Sequence, residues 1–334
     1  MIFKRRLLTL ICAIAFIFTL YTPQRVAMAS QSLYVAGIPA GFTIKTCGAE
    51  VIGLSEIISF EGNFSPSKEV DIRIGDIITK IGNEEISGAS SIAKILQTSK
   101  GEPLEITVVR HGEILTKILT PRQDKDGKYK LGLFLREDLN GIGTITYFKE
   151  NKEFCALGHP IITENQDILN LKSGEAYEAS IIGLTQGEKG KAGELRGIFL
   201  DDSKIGCIIK NTKTGVYGKA KESYNLTKFP KMEIGTAKMG KARILTCIDG
   251  VKPFEYSISI IKIDENNKEN KHFVIKIKDK QLLSITSGIL QGMSGSPIIQ
   301  DGKIVGAVTH VFLNDPTRGF GISIQNMLEN WHFL

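Results

Sequence analysis

The chain has 334 residues, 42% of them hydrophobic and 23% charged, which is the composition of a globular protein long enough for two domains. Its formal charge of +6 lies mostly in residues 1–29, which hold Lys4, Arg5, Arg6 and Arg25 and no acid. No Lys/Arg block with interleaved aromatics follows, which excludes a nucleic-acid footprint. The cysteines (Cys12, Cys47, Cys155, Cys207 and Cys247) lie far apart, without C-x-x-C or Cys/His spacing, and exclude a zinc or dithiol motif. Cys12 lies in the leader; the other four read as free, buried thiols, with disulfide pairing in one of three ways as the alternative for an exported protein. Cys155 reads as a core residue of its strand, because no glycine turn surrounds it as a nucleophile would need.

Residues 1–30 have an export layout: Lys4-Arg5-Arg6, an apolar run Leu7–Leu20, then Ala27-Met28-Ala29 as a small-x-small cleavage site. The apolar run is short for a permanent span of about 20 residues. The pattern predicts a cleaved signal peptide, with an uncleaved membrane anchor as the alternative. No later segment is long and apolar enough to cross a bilayer.

Residues 33–121 predict a small β-rich module. Val35–Ile44 and Glu50–Ser59 read as strands, Ser90–Gln97 as an amphipathic helix, and Leu104–Arg110 and Glu113–Leu119 as a hairpin turning at His111-Gly112. Between them stands Ile74-Gly75-Asp76-x-Ile78-x-x-Ile81-Gly82. This order and motif resemble a PDZ domain. The resemblance implies that Gly41, Phe42, Thr43 and Ile44 form the loop whose amides hold a peptide carboxylate while the peptide adds as a strand.

Residues 122–130 are polar, charged and aperiodic, and read as a linker. From 131 to 334 the chain shows short β-like runs bounded by Gly, Asn, Asp and Lys, without long helices, which predicts a barrel or sandwich. Residues 183–197, rich in glycine and lysine, read as an exposed loop. They do not form a phosphate loop, because Ala192 follows Gly190-Lys191.

The chemistry concentrates in residues 288–312. Gly292-Met293-Ser294-Gly295-Ser296-Pro297 places a serine in backbone tight enough to need glycine on both sides. Such a turn aims successive amides at one point and can stabilise an oxyanion. Asp301-Gly302 then joins two apolar runs as a hairpin. This spacing resembles the nucleophile loop of chymotrypsin-like serine proteases, with Met293 where zymogen-activated members carry Asp, so activation by a new amino terminus is not expected. The match implies a substrate pocket formed by Gly288, Ile289, Gln291, Thr309, His310 and Val311. A small or apolar residue is expected before the scissile bond, since no carboxylate stands at the pocket base.

A serine hydroxyl needs a base, most often histidine. His159, locked between Gly158 and Pro160 at the end of a predicted strand, fits that role, with His310 lining the cleft as its rival. His111, His272 and His332 read as surface residues. For the carboxylate that would orient the histidine, Asp201, Asp202, Asp249, Asp264 and Asp279 are all open on spacing.

Leader, PDZ-like module, Gly141–Thr144, Phe154–Ile161 and the 288–312 stretch together resemble the stage IV sporulation protein B peptidases. The resemblance implies a mainly β fold: leader, PDZ-like α/β module and chymotrypsin-like β-barrel peptidase domain. It implies a self-cleaving serine endopeptidase, exported to the forespore intermembrane space, whose other substrate is a membrane-associated sporulation regulator. It implies a triad of His159, Asp279 and Ser294, an oxyanion hole from the amides of Gly292 and Ser294, and no metal or cofactor. The alternative from another class is a PDZ adaptor whose peptidase domain has lost activity.

Overall fold

The computed structural model describes residues 31–86, 88–329 and 331. The expected leader and His332 lie outside the described residues, among which no helix is long and apolar enough to cross a membrane.

The first strand governs the layout. β1 (Ser32–Leu54) is a single run of 23 residues, where the sequence suggested two strands. Short β2 (Ile57–Ser59) and β3 (Gly62–Phe64), helix α1 (Pro66–Glu69), β4 (Ile77–Ile81), β5 (Glu84–Glu85), helix α2 (Ala89–Ser99), and the hairpin β6 (Leu104–Arg110) and β7 (Glu113–Leu119) complete the first module. Its core gathers Val51, Ile72, Ile78, Ile81, Ile92, Leu96, Ile106 and Val108. The Ile74-Gly75-Asp76 motif has a physical cause. Asp76 is fully buried, accepts from the Arg73 amide at 2.9 Å, and pairs with Arg110 Nε and Nη2 at 2.7 and 2.8 Å. A buried carboxylate persists only when its lone pairs are satisfied in this way. The expected linker is instead a small hairpin, β8 (Arg122–Gln123) with β9 (Tyr129–Lys130).

β10 (Leu133–Phe148) then runs antiparallel along the whole of β1, from Leu54↔Leu133 to Tyr34↔Phe148. With β11 (Glu153–Ala156), β12 (Leu171–Thr185), β13 (Glu194–Thr212) and β14 (Gly215–Ala220), the pairing β1–β10–β11–β14–β13–β12 returns to β1 and closes a six-stranded ring. Closure leaves no strand edge unpaired. Residues 33–44 therefore belong to this ring by their pairing, and only the end of β1 from Ala49 pairs with β4 of the first module. The expected loop at 183–197 is shorter, because its ends extend β12 and β13.

The short strand β15 (Lys231–Glu233), which pairs with the start of β1, leads to a second closed barrel. It contains β16 (Gly240–Thr246), β17 (Phe254–Ile263), β18 (Phe273–Ile277), β19 (Pro297–Gln300), β20 (Lys303–Val311) and β21 (Arg318–Ser323), with helix α3 (Lys280–Thr286) inserted before β19 and helix α4 (Ile324–Glu329) after β21. Asp301 and Gly302 both take positive φ, at 52° and 75°, as the two-residue turn between β19 and β20 requires. The barrels meet in a shared apolar cluster that includes Val35, Tyr147, Cys155 and Tyr217 from the first and Ile299, Ala307 and Ile322 from the second. Tyr217 also donates to the Met327 carbonyl of α4 at 2.8 Å.

The cysteines of the described residues are all free. Cys155 and Cys247 are buried, and burial pushes the Cys155 thiol up to about 12. Cys47 and Cys207 are exposed, contrary to expectation.

Candidate active site

The nucleophile loop is stitched to the other barrel. Thr144 of β10 donates through its amide to the Ser294 carbonyl at 3.1 Å and through Oγ1 to the Gly292 carbonyl at 2.9 Å. Thr146, two residues on along the same face, donates to the Gly295 carbonyl at 2.7 Å. Gly292 and Gly295 have φ of 95° and 94°, where a side chain is strained. At Gly295 a Cβ would also strike the Thr144 carbonyl and lie 2.6 Å from the Leu157 nitrogen. The glycines of the motif thus serve close backbone approach as well as the turn. Met293 is fully buried and its amide is spent on Leu290. Among the described residues the amides of Gly292 and Ser294 donate to no acceptor. That pattern leaves two donors for an oxyanion.

The histidine turn is tight. The Gly158 amide donates to the Ala156 carbonyl at 2.8 Å around Leu157, whose φ is 69°. This is the rare and strained form of the γ-turn. Gly158, itself at φ 71°, abuts Thr309, since a Cβ there would lie 3.0 Å from the Thr309 methyl. His159 is half-buried, and its Nδ1 lies 2.8 Å from the Pro160 carbonyl oxygen. Donation from Nδ1 fixes the tautomer that leaves Nε2 as the basic nitrogen. Burial lowers the His159 pKa below the ordinary histidine value. The His310 ring sits 4.8 Å from the His159 ring, and desolvation, with the neighbouring His159, holds His310 at about 4. Both histidines are therefore neutral near pH 7.

Ser294, His159, His310, Thr309, Gly292 and Gln291 line one cleft of about 450 Å³ between the barrels. The rest of the cleft is mostly apolar, with Phe42, Ile44, Ile142, Leu157, Ile289 and Val311 among its walls and Asn140 as a polar exception. Ser294 Oγ donates to the Thr309 carbonyl at 2.6 Å and makes no hydrogen bond to His159. Of the expected pocket residues, Gly288 is displaced: it lies under Pro316, where any Cβ would meet the Pro316 backbone, and does not line the cleft.

Three expectations are corrected. Asp279 caps α3: Oδ1 accepts from the Leu282 amide at 3.0 Å and Oδ2 from the Ser257 amide at 3.4 Å. Both oxygens are thus engaged by backbone amides, and Asp279 does not line the cleft of Ser294 and His159. Asp202 is exposed in a bulge of β13, and Asp249 is exposed. Among the described residues no carboxylate pairs with His159. Thr309 Oγ1, beside the histidine turn, is buried with no hydrogen-bond partner among the described residues. Behind the histidine turn stand neutral groups. Gly215 abuts it, and the Asn211 side chain grips both faces of the next segment, donating to the Ile161 and Leu169 carbonyls at 2.7 and 3.0 Å and accepting from the Ile161 amide at 2.9 Å. Nothing in the sequence pattern singled out Asn211.

Gly41, Phe42, Thr43 and Ile44 are mid-strand, paired on both sides with β10 and β12, and cannot be a peptide-binding loop. Gly41 is packed by the Phe199 ring, and Phe42 and Ile44 wall the peptidase cleft. The groove of the first module lies elsewhere. A cavity of about 320 Å³ opens between α2, with Ile92 and Leu96, and the segment Leu131–Leu135. Gly132, at φ 76° with the Ser55 carbonyl where a Cβ would go, allows that close approach. The run Leu131-Gly132-Leu133, hidden behind the supposed linker, was the sequence signal. Finally, His272 is buried, not a surface residue, and its Nδ1 accepts from the Ser323 amide at 3.3 Å.

Comparison with known proteins fits this geometry. The SpoIVB peptidase S55 family model matches residues 127–328, and a PDZ domain model matches residues 63–110. The chain belongs to the SpoIVB peptidase S55 family. It carries a PDZ domain and is mainly β, built on two closed barrels. Among solved structures, the active form of the Rv3671c protease of M. tuberculosis is 12% identical with a TM-score of 0.32, over 57% of this chain and 72% of that one. A PDZ domain of a Listeria monocytogenes SdrC-like protein is 17% identical with a TM-score of 0.23, over 28% of this chain and 90% of that one. Among curated relatives, a Clostridium perfringens sequence named as a zinc metalloprotease (CPE1693) is 32% identical over 69 residues, 21% of each chain. A Saccharomyces cerevisiae sequence named as 26S proteasome regulatory subunit p27 is 32% identical over 76 residues, 22% of this chain and 34% of the relative. The chain thus spans only about a fifth and a third of these two relatives. No three His, Cys, Asp or Glu side chains converge as a metal site among the described residues.

Proposed function

We propose that this SpoIVB-family peptidase cleaves peptides with a Ser294–His159 pair oriented by a backbone carbonyl. Ser294 Oγ attacks the peptide carbonyl carbon while its proton passes to His159 Nε2. The amides of Gly292 and Ser294 stabilise the oxyanion. His159 then gives the proton to the leaving amine, and water repeats the sequence on the acyl-enzyme. The observation that carries this reading is the convergence of Ser294, His159 and two unspent amides on one cleft. The Pro160 carbonyl takes the orienting role expected of a carboxylate, because it fixes the same tautomer.

The apolar walls at Ile289 and Val311 favour a small or apolar residue before the scissile bond; a buried cation would lack a counter-charge. The PDZ groove between α2 and Leu131–Leu135 takes an extended peptide and regulates the peptidase. The leader pattern of residues 1–30 supports export across the membrane, the family's name supports a role in sporulation, and self-cleavage and action on a membrane-associated regulator between the forespore membranes complete the reading. The adaptor alternative is disfavoured by the presence of both Ser294 and His159 in the cleft.

A fluorophosphonate probe, which reacts only with an activated serine, tests the function. We expect labelling of the wild-type protein and none of Ser294→Ala or His159→Ala. A folded wild-type protein that resists the probe and hydrolyses no peptide refutes the peptidase reading and favours the adaptor.

A further inference from the structure

The segment following His159 is a small hairpin seated on the PDZ module. Leu169 donates to the Ile161 carbonyl at 3.0 Å, Ile162 bridges Ile168, and Thr163 donates to the Asp167 carbonyl at 2.9 Å. Its base is the segment gripped by Asn211, two residues from His159. Its tip touches the first module at three points. Asn165 packs on Gly75 of the Ile74-Gly75-Asp76 motif, so closely that a Cβ on Gly75 would strike its side-chain amide. Asp167 Oδ2 lies 3.1 Å from His111 Nδ1, at the β6–β7 turn. The Glu164 amide donates to Glu50 Oε1 at 2.8 Å.

Glu50 is the unusual member. It is fully buried at the point where β1 passes from the barrel into the PDZ module. Its other oxygen accepts from Arg136 Nη2 at 2.8 Å, and Arg136 also lies 3.2 Å from the Glu164 carboxylate. A buried carboxylate that gives one oxygen to a backbone amide fixes that amide's position firmly, because leaving either group unpaired is costly. Arg136 directly follows Leu135, which lines the peptide groove.

We propose that the PDZ module is a positioning element for His159, acting through hairpin 161–169, with Glu50 as the positioning residue that joins them. The assignment rests on His159 being the base. The module holds the hairpin tip, Asn211 holds its base, and the strained turn at Leu157 holds the other side of the histidine. Loosening the tip lets the imidazole move and admits water. Two groups and burial by the cleft walls bear on the imidazole, the groups being the Pro160 carbonyl and the His310 ring from β20. No carboxylate of the described residues reaches it. Added water therefore raises the His159 pKa towards its ordinary value, since burial is what lowers it.

The test compares full-length wild-type, Glu50→Gln and Asp167→Asn proteins by kcat, KM and the pH profile of kcat/KM on a peptide substrate, with folding checked by thermal melting. Glu50→Gln keeps the size and an acceptor for the Glu164 amide but removes the charge that secures Arg136. Its kcat is expected to fall on the order of tenfold or more, given that about 1 Å of misplacement costs roughly 100-fold. KM should change little and the acid limb should move to higher pH. Asp167→Asn, which breaks an exposed pair of little weight for stability, should move both in the same direction by less, and it decides the question if Glu50→Gln does not fold. Wild-type kcat and acid limb in a folded variant, or a kcat loss that leaves the acid limb in place, overturns the proposal. Failure of the wild-type protein to react with the fluorophosphonate probe instead removes the peptidase reading beneath it.

Discussion

Gly295→Ala separates the placement of the nucleophile loop from the chemistry of its residues. The substitution touches neither Ser294 nor His159. The added methyl would lie 2.6 Å from the Leu157 nitrogen and closer still to the Thr144 carbonyl, both rigid backbone. Ordinary contact begins at 3.4 Å, so the loop must withdraw by about 0.8 Å or more on the side facing the histidine turn. A misplacement of about 1 Å typically costs about 100-fold in rate, and the left-handed backbone adds roughly 1–2 kcal/mol of strain to stability. Gly302→Ala is the control. It carries the same left-handed strain at φ 75°, but nothing lies within 4 Å of its Cβ. We expect Gly295→Ala to lose at least as much stability as Gly302→Ala by thermal melting, because its clash adds to the strain that the two share. Only Gly295→Ala should lose about two orders of magnitude in fluorophosphonate labelling rate and peptide hydrolysis. A folded Gly295→Ala protein that labels as fast as Gly302→Ala would show that the register between Thr144 and the nucleophile loop does not set the active geometry.

Four further outcomes follow from particular groups. Asp279→Ala removes a helix cap and should cost about 1 kcal/mol (roughly 0.5–2) in denaturant unfolding, while Asp279→Asn, itself a good cap, should keep activity within about tenfold. A loss of about 10⁴-fold in Asp279→Asn would instead restore it as the triad acid. Because burial lowers His159, its basic form should persist below the ordinary histidine range, so the acid limb of labelling rate should fall there; a limb above that range contradicts the burial seen. The same sign governs stability. The unfolded chain binds the protons of His159 and His310 first, so their contribution is complete above the unfolded histidine value and is lost as pH falls, for His310 through about 4. Mapping of cleavage products should find small or apolar residues before the scissile bond; a majority of Arg or Lys there would be incompatible with walls such as Ile289 and Val311.

The sequence by itself determined the parts whose cause is local. Glycines at 292 and 295 around Ser294, Gly158 and Pro160 around His159, and the turns at His111-Gly112 and Asp301-Gly302 are each set by backbone conformations that few residues adopt. The family could be recognised from those stretches, because the chemistry of a nucleophile turn restricts its residues so tightly. The tertiary structure decided what depends on partners distant in sequence. Whether residues 41–44 form a loop or a strand turns on their pairing with β10 and β12, more than 90 residues away, and periodicity is silent about such pairing. Asp279 offers a carboxylate at the family's position, yet its surroundings make it a helix cap. Asn211 and Glu50 gain their roles only because folding carries Ile161 and the Glu164 amide to them. A carboxylate or amide side chain looks the same in a sequence whether it caps, clamps or catalyses, and only its neighbours in space distinguish these functions.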